Sequence, residues 1–414
     1  MPEGLSVDGA RLLADLKALA RFGALPAGGL DRPPFSEPYR EAAAWLVSRM
    51  AEAGLEVRTD VAGNIFGRLG PPEGPAVLTG SHIDTVPSGG WLDGALGVMA
   101  SLECARVLRE SGRPLAKALE VCSFTDEEGS YVSLLGSRAV TGALPVEELS
   151  RSAGRGGELA SDAMRRFGLD PGATGKAKRG SSDVAAYVEI HIEQGPVLAA
   201  EQKDIGIVTV IVGIETLRFT FKGAARHAGT TPLEARKDAF RGVAAAVAEV
   251  YDRATSGDWG EEVRVNFGAV EVLPGASNVV PSTVRLTCEI RGTTLERMRD
   301  VRTRVERCLS ASAERFGLSL DCTPLSHDPP AAMSEELGRL IERSATGFGL
   351  TSRRLPSGAG HDAQAFAAIA PSAMLFIPSP NGISHHPDEF STDDQIVRGA
   401  NVLLRTLADL VGAA

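Results

Sequence analysis

The chain has 414 residues, 43% of them hydrophobic, and its 43 Lys and Arg against 53 Asp and Glu leave a net charge of −10. That length exceeds what one hydrophobic core usually serves, so two domains are expected, and the acidic balance argues against nucleic acid or an anionic membrane as partner. The five cysteines are scattered without a Cys-x-x-Cys pair, the start lacks a basic-then-apolar leader, and no run of about 18 apolar residues occurs; a cytoplasmic enzyme is expected.

From Ala76 to about Thr209, short apolar strands alternate with helical patterns, as in the helix with Val98, Leu102 and Ala105 on one face, which predicts a layered α/β domain. After Gly213 the rhythm changes. A strand Thr216–Phe221, a helix Pro232–Tyr251 (Phe240, Val243, Val247, Val250), strands Val263–Val272 and Val284–Ile290, a helix Leu295–Phe316 and a strand Leu318–Cys322 give βαββαβ, a ferredoxin-like order. Ser326-His327-Asp328-Pro329-Pro330 reads as a linker, after which the first pattern resumes and closes on a helix starting at Thr392. Gln395 completes its capping box, and Ile396, Ala400, Leu403 and Leu407 form its stripe. Residues 213–327 are thus an insertion, and 1–212 with 328–414 fold together as one domain.

The chemistry-bearing residues fall on the outer segments. His82-Ile83-Asp84 follows an apolar run, and Asp93-Gly94 closes the glycine-rich turn after it; in extended chain Asp84 shares a face with His82 and can orient its ring. The buried strand Ala118–Phe124 runs into Asp126-Glu127-Glu128-Gly129, three acids whose repulsion a cation relieves. Period-two alternation over Val188–Glu193 puts Glu189, His191 and Glu193 on one strand face, and two of the seven histidines, His385 and His386, stand in one loop before the last helix.

With His191-Ile192-Glu193-Gln194-Gly195-Pro196, His227-Ala228-Gly229-Thr230-Thr231-Pro232, Ser357-Gly358-Ala359-Gly360-His361-Asp362-Ala363 and Ser384-His385-x-Pro387, these motifs stand in one order. That order resembles the hydantoinase/carbamoylase group of dinuclear zinc amidohydrolases, relatives of carboxypeptidase G and the aminoacylases, from about residue 40 onward. Two segments depart from the family pattern: Tyr131-Val132 stands where Arg-Phe is usual, and Pro281-Ser282-Thr283 where Pro-Gly-Glu is common.

The resemblance implies a zinc-peptidase-like α/β catalytic domain with an inserted α+β domain serving as lid and dimerisation surface. It implies two divalent ions, Zn²⁺ foremost with Mn²⁺, Co²⁺ or Ni²⁺ as alternatives. His82, Asp93 and His191 would hold one ion and Asp93, Glu128 and His385 the other, with Glu127 as general base. His386 would face solvent. His227 would reach from the lid, often of the other subunit of a homodimer, to the scissile carbonyl. Asn278 and Arg291 would bind a substrate carboxylate, with Gln194 and the Gly358-Ala359-Gly360 backbone in the same pocket. His361 and Asp362 would either serve that pocket or cap the following helix. The expected reaction is hydrolysis of the ureido C–N bond of an N-carbamoyl-L-amino acid; allantoate hydrolysis is the alternative, aminoacylase or dipeptidase action comes next, and a catalytically silent metal-binding protein is disfavoured by the presence of Glu127 and all five ligands.

Overall fold

A computed structural model describes residues 4–260 and 263–413. In chain order the strands are β1 Glu56–Thr59, β2 Ile65–Leu69, β3 Ala76–His82, β4 Ala118–Phe124, β5 Val184–Ile192, β6 Ile205–Ile211, β7 Gly213–Lys222, β8 Val263–Leu273, β9 Thr283–Gly292, β10 Ser319–Asp328, β11 Ala331–Ala332, β12 Ser352–Ser357 and β13 Ser372–Ile377. Two compact units result, one running to Thr209 and resuming at Ala332, the other Val210–Ala331.

The first unit is built on a mixed sheet ordered β1-β2-β4-β3-β5-β13-β6-β11, with β12 beside β6. Its centre is parallel: β3 runs with β4 and β5, and β13 with β5. Strands covered on both faces read as continuous apolar runs, and β3, β4 and β13 are buried at every position. One face packs on the helices Ala95–Glu110 and Asp393–Val411, whose Val98, Leu102, Ile396, Ala400, Leu403 and Leu407 are fully buried. The last helix starts from the expected cap: Thr392 Oγ1 accepts from Gln395 N, and Gln395 Oε1 from Thr392 N.

The second unit is an antiparallel sheet ordered β10-β7-β9-β8 with the helices Ala239–Thr255 and Leu295–Arg315. Strict alternation along β9 sends Val284, Leu286, Cys288 and Ile290 into a core with Leu217, Phe219, Phe221, Val301 and Val305. Two expectations need correcting. The first helix begins at Ala239, not Pro232, because the Asp238 carboxylate caps it by accepting from Phe240 N and Arg241 N; Phe240 therefore stands in the first turn, 48% exposed, outside the buried stripe. The segment read as a linker at Ser326 is strand, since β10 pairs with β7 through His327 opposite Glu215.

Among the described residues no helix is long and apolar enough to cross a membrane. The five cysteines are unpaired, Cys322 alone exposed.

Candidate metal centre

The carboxyl ends of parallel strands define where an open α/β sheet collects polar groups, because the chain leaves the sheet there in loops. His82 ends β3, His191 lies one residue from the end of β5, Glu127 and Glu128 follow β4, and His385 lies in the loop after β13. Asp93 comes from the turn that starts the helix Ala95–Glu110. That turn requires Gly94, which has φ +62° and whose Cβ would lie 2.4 Å from the His82 ring.

Asp93 faces two ways. Its Oδ1 is 3.1 Å from His191 Nε2 and 3.6 Å from His82 Nε2, while its Oδ2 is 3.3 Å from His385 Nε2. Glu128 Oε2 lies 3.5 Å from the same His385 nitrogen. His82, Asp93 and His191 therefore converge as one set of donors, and Asp93, Glu128 and His385 as another, each within 4.8 Å.

The imidazole tautomers are set by the backbone. His82 Nδ1 is 3.0 Å from the Asp84 carbonyl oxygen and His191 Nδ1 is 2.9 Å from that of Ile192; a carbonyl only accepts, so both Nδ1 atoms carry the hydrogen and both Nε2 lone pairs point inward. His191 Nε2 also accepts from Gly94 N at 3.3 Å. Inward lone pairs facing carboxylate oxygens repel one another unless a proton or a cation sits between them, and this donor set of imidazole and carboxylate suits a divalent ion.

The electrostatics follow. Burial pushes Glu128 up to about 7, helped by the neighbouring Asp93 charge, and burial likewise holds Glu127 well above the usual glutamate range against the pull of His82. Burial opposes the charge on Asp93, but His191, His385 and His82 outweigh it and hold that carboxyl well below its usual range. Contact with Asp93 raises His385 to about 9. These atoms compete for protons as they would compete for metal, and a dication reverses the local balance by displacing them. Glu127 belongs to neither donor set, yet its Oε2 is 3.4 Å from His82 Nε2.

The profile of peptidase family M20/M25/M40 matches residues 78–409. The chain belongs to that family. It is 38% identical over 412 residues to the N-carbamoyl-L-amino acid amidohydrolase of Geobacillus stearothermophilus, covering 98% of this chain and 99% of the relative. To the allantoate amidohydrolase of Escherichia coli it is 35% identical over 398 residues, 95% of each chain. Among solved structures, the hydantoinase/carbamoylase family amidase of Burkholderia multivorans superposes with a TM-score of 0.88 at 32% identity over 98% of both chains. The protein is a hydrolase of this metal-dependent family, with its fold, within the hydantoinase/carbamoylase amidases.

Several family positions sit differently from expectation in this hydrolase. Asp84 orients His82 through its carbonyl, not its carboxylate, whose nearer oxygen is 3.8 Å from Nδ1; Asp84 Oδ2 instead accepts from Glu128 N at 3.3 Å. Gln194, expected in the substrate pocket, stands beside the donor sets, its Nε2 donating to Asp93 Oδ2 at 2.9 Å and to Ser384 Oγ at 3.1 Å. Glu193 lies past the end of β5, and its carboxylate accepts from Val197 N and Leu198 N, leaving Glu189 and His191 to share the strand face. His361 stands at the N-cap of the helix that follows, but its side chain makes no cap hydrogen bond: His361 Nε2 meets Ser357 Oγ at 2.9 Å, and its ring packs edge-on against His191. His386 faces outward, whereas side chains built on Gly358 and Gly360 would meet little, so that backbone borders open space.

In the second unit, His227 bridges Val279, and Asn278 O accepts from Ala228 N at 2.9 Å, so the loops of His227 and Asn278 are joined. His227 Nδ1 accepts from Gly229 N at 3.1 Å, which leaves the hydrogen on Nε2. Arg291 Nε donates to Glu289 Oε1 at 2.8 Å.

Sequence reasoning missed two supports. Fully buried Arg32 donates to the carbonyls of Ile83, Leu19 and Phe22, anchoring the His82–Asp84 segment, though the lone arginine carries no motif. Glu389 accepts from Leu92 N and Asp93 N; an acid four residues after His385 was its only sequence signal.

Proposed function

We propose that the protein hydrolyses the ureido C–N bond of an N-carbamoyl-L-amino acid, giving the amino acid, ammonia and carbon dioxide. One observation carries the reading. Asp93 offers one oxygen to His82 and His191 and the other to the His385 and Glu128 side, while Glu127, buried beside them, is left free as a base. His82, Asp93 and His191 would hold one divalent ion and Asp93, Glu128 and His385 a second, zinc foremost with manganese, cobalt or nickel as alternatives. Such ions supply Lewis acidity and a hydroxide at neutral pH.

Around them, Glu127 takes the proton of the attacking water and returns it to the leaving nitrogen. Its burial-raised affinity for protons suits both halves of that task. His227, with its hydrogen on Nε2, donates to the developing oxyanion, and Arg291 with Asn278 holds the substrate carboxylate. The insertion acts as lid and as the surface of a homodimer: β8 and β10 each pair on one side only, so a second copy can add to an edge.

Allantoate is the second reading, favoured by the 35% identity to an allantoate amidohydrolase over 95% of both chains. Both substrates carry a carboxylate and a ureido group, and ammonia release separates them. Ammonia should appear from N-carbamoyl-L-amino acids, cease on chelation and return with added divalent metal. Turnover of allantoate alone would transfer the assignment to the second reading; turnover of acetyl amino acids alone would overturn both.

A further inference from the structure

We propose that Glu389 is a positioning residue that ties the two ligand-bearing loops together and so fixes Asp93 between its two sets of partners; this rests on the dinuclear reading above. Glu389 is 2% exposed. Its Oε1 accepts two backbone N–H groups, Leu92 at 2.9 Å and Asp93 at 3.0 Å, and its Oε2 accepts the Ser384 hydroxyl at 2.8 Å. Ser384 precedes His385. A single carboxylate thus joins the backbone of one ligand to the neighbour of another. Gln194 completes the ring, donating to both Ser384 Oγ and Asp93 Oδ2.

The fit is tight from the other side as well. A Cβ on Gly90 would lie 2.1 Å from Glu389 Oε1 and 2.2 Å from its Cδ, so Gly90 is glycine because the carboxylate rests against its Cα. Three donors converge here and ask for nothing in return, a demand that a carboxylate meets with acceptor oxygens alone. A carboxylate that serves two ions must hold both oxygens in place at once, and side chains behind the ligands commonly supply that constraint.

The test titrates Zn²⁺ into metal-free protein by calorimetry, with far-UV circular dichroism as the folding control. A parent protein that binds no Zn²⁺ with folding intact would fail the metal-centre reading itself. With the parent binding, Glu389→Ala, which leaves the Leu92 and Asp93 N–H groups unpaired, should bind about 10- to 100-fold more weakly. Gly90→Ala, which displaces the carboxylate sterically, should match it. Glu389→Gln keeps an acceptor for both N–H groups, and its amide can donate to Ser384 Oγ while the Ser384 hydrogen turns to Asp93 Oδ2, 3.2 Å away, so it should stay within about fivefold of the parent. Should Glu389→Ala not fold, Ser384→Ala keeps both N–H contacts but removes the hydroxyl with its contacts to Glu389 Oε2, Gln194 Nε2 and Asp93 Oδ2, and should cost about tenfold. Parental affinity in Glu389→Ala, or in Ser384→Ala in its place, overturns the proposal, as does an equal loss in Glu389→Gln, which would assign the effect to charge and not to position.

Discussion

Glu127 and Glu128 are neighbours in sequence with opposite assignments, and their surroundings separate them. Glu128 N is held by the Asp84 carboxylate while its own Oε2 faces His385; Glu127 points back toward His82 and joins neither donor set. Under the proposed mechanism, Glu127→Gln keeps its metals and loses kcat by about 10²- to 10⁴-fold, because only the proton transfer is removed. Glu128→Gln should lose metal instead. Metal content by atomic spectroscopy beside kcat distinguishes the two, and a Glu127→Gln enzyme that turns over normally would remove Glu127 from the mechanism.

The sheet does the assembling. Parallel β3, β4 and β5 end at one edge, which brings His82, the acids after Phe124 and His191 together although they are widely separated along the chain. Toward its other end β4 carries an ion cluster outside both donor sets. Glu120 in β4, 2% exposed, meets Arg68 and Arg179 at 2.6 Å each, with Arg58 at 3.6 Å. Burial alone would raise this carboxyl, but Arg179 and then Arg68 and Arg58 pull it below the ordinary 4.5. A folded-state value below the unfolded one contributes stability above pH 4.5, and that contribution fades as pH falls through the lowered value. Glu120→Gln should therefore cost about 1.5–3 kcal/mol at pH 7 by denaturant unfolding. The gap to the parent should narrow below pH 4.5, whereas a constant gap would mean that the charge contributes nothing.

At the scale of the whole molecule, the proposed metal ligands and the proposed substrate contacts belong to different units. His82, Asp93, Glu128, His191 and His385 lie in the first; His227, Asn278 and Arg291 lie in Val210–Ala331. If the insertion pairs two copies and His227 serves the partner's centre, two inactive variants can repair each other. Mixing Glu127→Gln with His227→Ala under subunit exchange should restore activity, since one site in each mixed dimer keeps both residues. Proven exchange without recovery would confine His227 to its own chain or exclude it from catalysis.

Sequence by itself determined the elements whose pattern is local and the residue types whose chemistry is specific. The capping box at Thr392, the alternation along β9 and the ordered motifs bearing His82, Asp93, Glu128, His191 and His385 were legible because each depends on neighbours a few positions away. What the tertiary structure decided was partnership. Gln194 turned to Asp93, Asp84 acted through its carbonyl, and Glu389 closed on Leu92 and Asp93 from almost 300 residues away. Such pairings depend on where strand ends and loops meet after folding; a buried polar group takes whichever partner that geometry brings within reach, and spacing along the chain carries no record of it.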